Sequence, residues 1–99
     1  GLGGETAFRV GEKLKLLGKE MQVFAVTHAP LVAVYADQHY YIEKREENGR
    51  VTVHLESLSK EAVRHEIARM LSGDSNSAVS LHQADALLKG AQNSKAREP

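Results

Sequence analysis

The chain has 99 residues, the length of one small domain. Thirteen Lys and Arg balance thirteen Asp and Glu, and a formal net charge of zero argues against a free-standing nucleic-acid module with a basic excess. There is no cysteine, which excludes disulfides and thiolate metal sites, and no apolar run approaches the roughly 18 residues of a membrane span. The start, Gly1-Leu2-Gly3-Gly4-Glu5, has neither the basic nor the apolar block of a signal peptide and no initiator Met. The expectation is a cytoplasmic segment cut from a longer chain.

After the glycine-rich lead-in, Ala7, Phe8, Val10, Leu14, Leu16 and Leu17 recur in steps of three and four, which predicts an amphipathic helix ending near Gly18. Residues 22–27 then form a short, β-branched apolar run without alternation. That pattern predicts a strand buried on both faces, as in a parallel sheet, and a helix followed by such a strand is α/β in character. Pro30 fits the first turn of a short helix over residues 31–36, where its missing N–H is unbonded in any case.

Residues 39–45 and 50–55 read as two strands around Glu46-Glu47-Asn48-Gly49, because Asn-Gly tolerates the positive φ of a hairpin turn. In the second run Val51, Val53 and Leu55 alternate with Thr52, His54 and Glu56, the pattern of a half-solvated antiparallel strand near a sheet edge. Ser59 is placed to cap a helix through about Leu71, with Glu61 favoured in its first turn and Gly73 as its stop. Ser75-Asn76-Ser77 opens a last helix, with Val79, Leu81, Ala84, Leu87 and Leu88 apolar and an end near Gly90. Residues 1–90 are thus read as the folded portion and 91–99 as a polar, disordered tail.

His28 is the sharpest candidate for chemistry. It follows the apolar run in Val23-Phe24-Ala25-Val26-Thr27-His28-Ala29-Pro30, and α/β sheets gather ligands just beyond the carboxyl ends of their strands. A histidine there can donate to a phosphate oxygen or orient a water; the bland alternative is a structural histidine bonded to backbone. Gly1-Leu2-Gly3-Gly4 either lets backbone approach a phosphate or another chain closely, or is a flexible lead-in or cloning remnant. It is no Walker A loop, since no Gly-Lys-Ser/Thr follows. His39, His54, His65 and His82 share no ligand spacing, so no metal site is expected. Lys60, Arg64 and Arg69 alternate with Glu61 and Glu66, as on a solvated face. Tyr40 and Tyr41 beside Lys44 and Arg45 suit base stacking or ordinary strand packing equally.

In order along the chain, Gly1-Leu2-Gly3-Gly4, the amphipathic helix, residues 22–30 and Ala36-Asp37-Gln38-His39 are followed by two further pieces. These are Glu66-Ile67-Ala68-Arg69-Met70-Leu71-Ser72-Gly73 and Leu81-His82-Gln83-Ala84-Asp85-Ala86-Leu87-Leu88. This succession, through about Leu88, resembles the C-terminal part of the RecN family, bacterial DNA-repair ATPases related to SMC proteins. The resemblance implies an α/β fold, the C-terminal fragment of a P-loop, ABC-type ATPase head with a core strand, a β-hairpin and flanking helices. It implies that Gly1, Leu2, Gly3 and Gly4 match the D-loop, which reaches the nucleotide of a second subunit, and that His28 matches the switch histidine at the γ-phosphate. Where the family carries Leu-Pro-Gln after that histidine, this chain has Ala29-Pro30-Leu31.

The Walker A lysine, the Walker B carboxylates, the signature motif and the coiled coil of the family have no counterpart in this sequence. ATP and Mg²⁺ are therefore expected in a full-length parent and not on this chain alone, which is expected to be inactive. The resemblance also places the strand of residues 22–27 between strands missing here. It should then either pair with residues 39–45 or recruit a second chain, and self-association is the expected outcome. The expected partners are the rest of the head, a second subunit and, through the whole protein, DNA in double-strand break repair and recombination, with no membrane. The competing reading is an independent small α/β binding or dimerisation module without catalysis.

Overall fold

Gly3 has no side chain with which to cap, yet its extended backbone (φ −64°, ψ 158°) starts helix α1, Gly4–Leu17. The computed structural model describes residues 3–93. Glu5 lies in the first turn of α1 and Lys15 in the last, each favoured by the helix dipole at its end. The buried positions of α1 are Ala7 and Gly11, four apart and on one face. Helix α2, Pro30–Ala33, packs onto that face, with Pro30 in its first turn. Phe8 meets Tyr35 edge to face, with ring centroids 5.8 Å apart.

Strands β1, Tyr40–Glu47, and β2, Arg50–Ser57, form an antiparallel hairpin in which Tyr40 pairs with Ser57 and Glu47 with Arg50. The turn is two residues rather than four. Asn48 (φ 52°) and Gly49 (φ 76°) both take the left-handed conformation, whose twist matches that of the flanking strands. The Leu58 amide donates to the His39 carbonyl at 2.9 Å and closes the base of the hairpin.

Helix α3, Lys60–Ser72, begins at Ser59, whose Oγ accepts from the Ala62 amide at 3.2 Å. It ends where Gly73 turns left-handed (φ 80°) and donates to the Arg69 carbonyl. Helix α4, Ala78–Gln92, is capped by Ser77 Oγ on the Ser80 amide. It runs past the expected end at Gly90, and Ala91 is buried, so residues 91 and 92 belong to the helix and not to a tail. The rest of the expected tail, residues 94–99, lies outside the described residues.

The core is helical. Val63, Ile67 and Ala68 of α3 and Ala84 and Ala91 of α4 join Val34 and Tyr35 in one cluster, flanked by Phe8, Leu58, Leu81 and Leu87. Small residues at 68, 84 and 91 keep these helices close.

The main departure from expectation is the segment of residues 22–29, which has no regular secondary structure. The expected core strand over residues 22–27 does not form, and Phe24 and Val26 are 79% and 98% exposed. It does not pair with residues 39–45; among the described residues β1 bonds only to β2. A strand forms only where a neighbour satisfies its N–H and C=O groups, and the described residues supply none on either side. The chain is thus mixed α/β, with a two-stranded hairpin and four helices described.

Candidate functional site

The apolar run ends at Thr27, whose Oγ1 accepts from the Ala29 amide at 3.0 Å. This local bond turns the backbone and leads into Pro30, where α2 starts. His28 sits inside that turn and is exposed. Its backbone is set by a short bond and a proline, and its ring faces solvent and not the core.

The lead-in of α1 and the segment after His28 are neighbours. A Cβ added at Gly4 would lie 3.6 Å from Leu31 Cδ1, in ordinary contact. Leu31, which stands where the resemblance has glutamine, is half-buried against the first turn of α1. It supplies packing where an amide would supply hydrogen bonds. At Gly3 nothing lies within 4 Å of the position of a Cβ, so its backbone is open to close approach. Gly1 and Leu2 lie outside the described residues.

Gly11 fixes the placement of α2 and with it the approach to His28. A Cβ there would stand 3.0 Å from the Leu31 carbonyl oxygen and would collide with the Tyr35 ring. Lys15 Nζ pairs with Asp37 at 3.1 Å on the far side of α2. The sequence shows Gly11 only as a glycine inside a helical pattern, and nothing in the pattern points to the ring it accommodates.

The remaining candidates are not gathered at His28. His54 sits opposite Glu43 in the hairpin, His82 is exposed on α4, and His39 is half-buried at the hairpin base. Burial holds the His39 pKa below the ordinary imidazole value. His65 lies between the Ser75 carbonyl (Nδ1 at 2.6 Å) and Glu61 (Nε2 at 3.2 Å). Among the described residues no group of three or more His, Asp or Glu is placed to hold a metal ion.

Arg64 and Arg69 are engaged by carboxylates. Arg64 grips Asp85 of α4 through Nε at 2.5 Å and a second nitrogen at 3.1 Å, and reaches Glu61 at 2.8 Å. The hydrogen bond that Arg64 donates to Asp85 comes first in holding the Arg64 pKa above its ordinary value. Arg69 pairs with Glu66. The link from Arg64 to Asp85 spans 21 positions and could not be read from a single helix. Tyr40 and Tyr41 fall on opposite faces of the hairpin and make no joint stacking platform: Tyr40 donates to Gln38 at 2.8 Å, while Tyr41 lies beside Glu61, His65 and Arg69. No described helix is long and apolar enough to cross a membrane.

No protein-family model matches the chain. Individual relatives do. The chain is 42% identical over 90 residues to DNA repair protein RecN of Deinococcus radiodurans, covering 91% of this chain and 16% of that protein. It is 38% identical over 89 residues to DNA repair protein RecN of Treponema pallidum and 38% over 88 residues to that of Halalkalibacterium halodurans. Those matches cover 90% and 89% of this chain and 16% of each relative, so the chain spans about a sixth of the length of the curated relatives it matches. By sequence, then, the chain is similar to RecN proteins over about nine-tenths of its own length.

Proposed function

We propose that this chain is the C-terminal part of a RecN-like, ABC-type ATPase head that acts in DNA double-strand break repair and recombination. The observation that carries the reading is the match of about 40% identity over nine-tenths of the chain to proteins named for DNA repair. In this reading His28 is the switch histidine and donates to the γ-phosphate of ATP. Gly1, Leu2, Gly3 and Gly4 form the D-loop and reach across to the nucleotide of a second subunit. The exposure of His28 and the open backbone at Gly3 suit these roles, and the nearness of Gly4 to Leu31 makes the two segments neighbours. Bound ATP with Mg²⁺ would bring the phosphate and the metal; this chain would add one hydrogen-bond donor and a close-approaching backbone. The Lys and carboxylates that such hydrolysis also requires must come from the remaining five-sixths of the parent, so the chain alone is inactive. The partners are the rest of the head, a second subunit and, through the whole protein, DNA, in the cytoplasm at the nucleoid.

The test is a chimera in which this chain replaces the matching segment of Deinococcus radiodurans RecN. It should hydrolyse ATP, and His28→Ala should lower turnover by about 100- to 1,000-fold, as for loss of one donor to developing charge. The helical circular dichroism of the 99-residue chain should not change, since His28 is exposed. Unaltered turnover would return His28 to a structural role.

A further inference from the structure

The tip of the hairpin is made of Asn48 and Gly49, both exposed and both left-handed (φ 52° and 76°). Strand pairing ends at Glu47 and Arg50, so the ladder brackets these two residues and engages neither. Among the described residues no hydrogen bond holds the Gly49 N–H or the Asn48 side-chain amide. Gly49 has no Cβ to shield its nitrogen, and nothing lies within 4 Å of where one would stand. These conditions are set by the turn itself and not by what covers the faces of the hairpin. Asn76 makes the contrast. The nitrogen that follows it belongs to Ser77, which donates to the Asp74 carbonyl at 3.5 Å and carries a Cβ. The Ser77 hydroxyl also caps α4, which holds the residue in place.

We infer that Asn48 is a site of spontaneous deamidation, a modification the chain performs on itself with water as the co-reactant. The Gly49 nitrogen gives up its proton to base and attacks Asn48 Cγ. The Cγ–Nδ2 bond breaks, Nδ2 takes up a proton and leaves as ammonia, and a cyclic succinimide joins Asn48 to Gly49. Water then opens the ring, and nothing is oxidised or reduced. Attack at Cγ gives aspartate. Attack at the main-chain carbonyl gives isoaspartate, in which the backbone runs through the former side chain. Aspartate adds a carboxylate directly after Glu46 and Glu47. Isoaspartate lengthens the backbone by a methylene, so the two-residue turn no longer matches the twist of its strands and the Glu47–Arg50 pair at its mouth loosens. It also presents a free α-carboxylate, the group to which an isoaspartyl methyltransferase adds methyl from S-adenosylmethionine. This chemistry does not depend on the ATPase reading.

Peptide mapping by mass spectrometry of the 99-residue chain, aged in mildly alkaline and in mildly acidic buffer, tests it. Asn48 should convert ahead of Asn76 and Asn93, each of which is followed by Ser. Conversion should be faster in the alkaline buffer, because the attacking nitrogen must first lose its proton. The aged chain should take up labelled methyl from S-adenosylmethionine when an isoaspartyl methyltransferase is added. Asn48→Gly keeps a turn whose two residues both accept positive φ, and it should abolish that uptake. An Asn48 that stays intact, whether or not Asn76 or Asn93 converts, would overturn the proposal. So would methyl uptake undiminished in Asn48→Gly, or equal rates in the two buffers, since the amide would then be lost without ring closure by the Gly49 nitrogen.

Discussion

Replacing Gly11 by alanine should destabilise the chain even though alanine is the better helix former. In a helix interior the exchange by itself favours folding by about 1 kcal/mol. Against this, the new methyl would stand 3.0 Å from the Leu31 carbonyl oxygen and from Tyr35 Cε2, and closer still to Tyr35 Cδ2. The carbonyl belongs to the backbone of α2 and cannot swing aside. Tyr35 is 5% exposed and wedged edge to face against Phe8, so it too has little room to move. Overpacking of this kind costs about 1–3 kcal/mol, and because backbone must move here the upper part of that range applies, which leaves a net loss of up to about 2 kcal/mol. For a chain of this size each kcal/mol lowers the melting temperature by about 4–8 °C. Gly90→Ala is the internal control, because Gly90 lies in α4 with nothing within 4 Å of the site of a Cβ. It should raise stability by up to about 1 kcal/mol. Thermal melts followed by circular dichroism at the helix band compare the two. A Gly11→Ala variant that melts at or above the wild type would refute the claim that Gly11 seats α2 on α1.

Ser59→Ala removes the oxygen that caps α3 and should cost about 1 kcal/mol, read as a lower midpoint in urea with an unchanged slope. His39 carries a pKa lowered by burial, so the unfolded chain binds its proton more readily than the folded one. Its contribution to stability is therefore complete above the unfolded value of about 6.5 and is lost as pH falls below it; His39→Gln should flatten melting temperature against pH between about 7.5 and 5.5. Duplex DNA should bind the isolated chain weakly or not at all at physiological salt, since the charge is balanced and Arg64 and Arg69 are held by carboxylates; sub-micromolar affinity in a fluorescence titration would contradict this.

Local rules in the sequence determined most of the secondary structure. Asn48-Gly49 set the hairpin because both residues take positive φ there. Ser59 and Ser77 set two helix starts through their own hydroxyls, and Gly73 stopped α3 by turning left-handed. These signals act within four or five residues, so a linear reading reaches them. The RecN-like character was also legible, carried by the order of short motifs from Gly1 to Leu88, and the exposed turn that presents His28 follows from Thr27 and Pro30 alone. Only the tertiary structure decided what those elements meet. Residues 22–27 have the composition of a buried strand, but strand formation depends on hydrogen bonds to a neighbour, and no neighbour is supplied here. The alternation of Val51, Val53 and Leu55 predicts a half-solvated strand with its apolar face covered, yet these three residues are 58–65% exposed, because cover for a face comes from other elements and not from the strand itself. The close approach at Gly11, the grip of Arg64 on Asp85 and the contact of Gly4 with Leu31 join residues 20 to 27 positions apart. Such contacts depend on where whole helices settle, and that is set by the volume of the core they share and not by any local pattern.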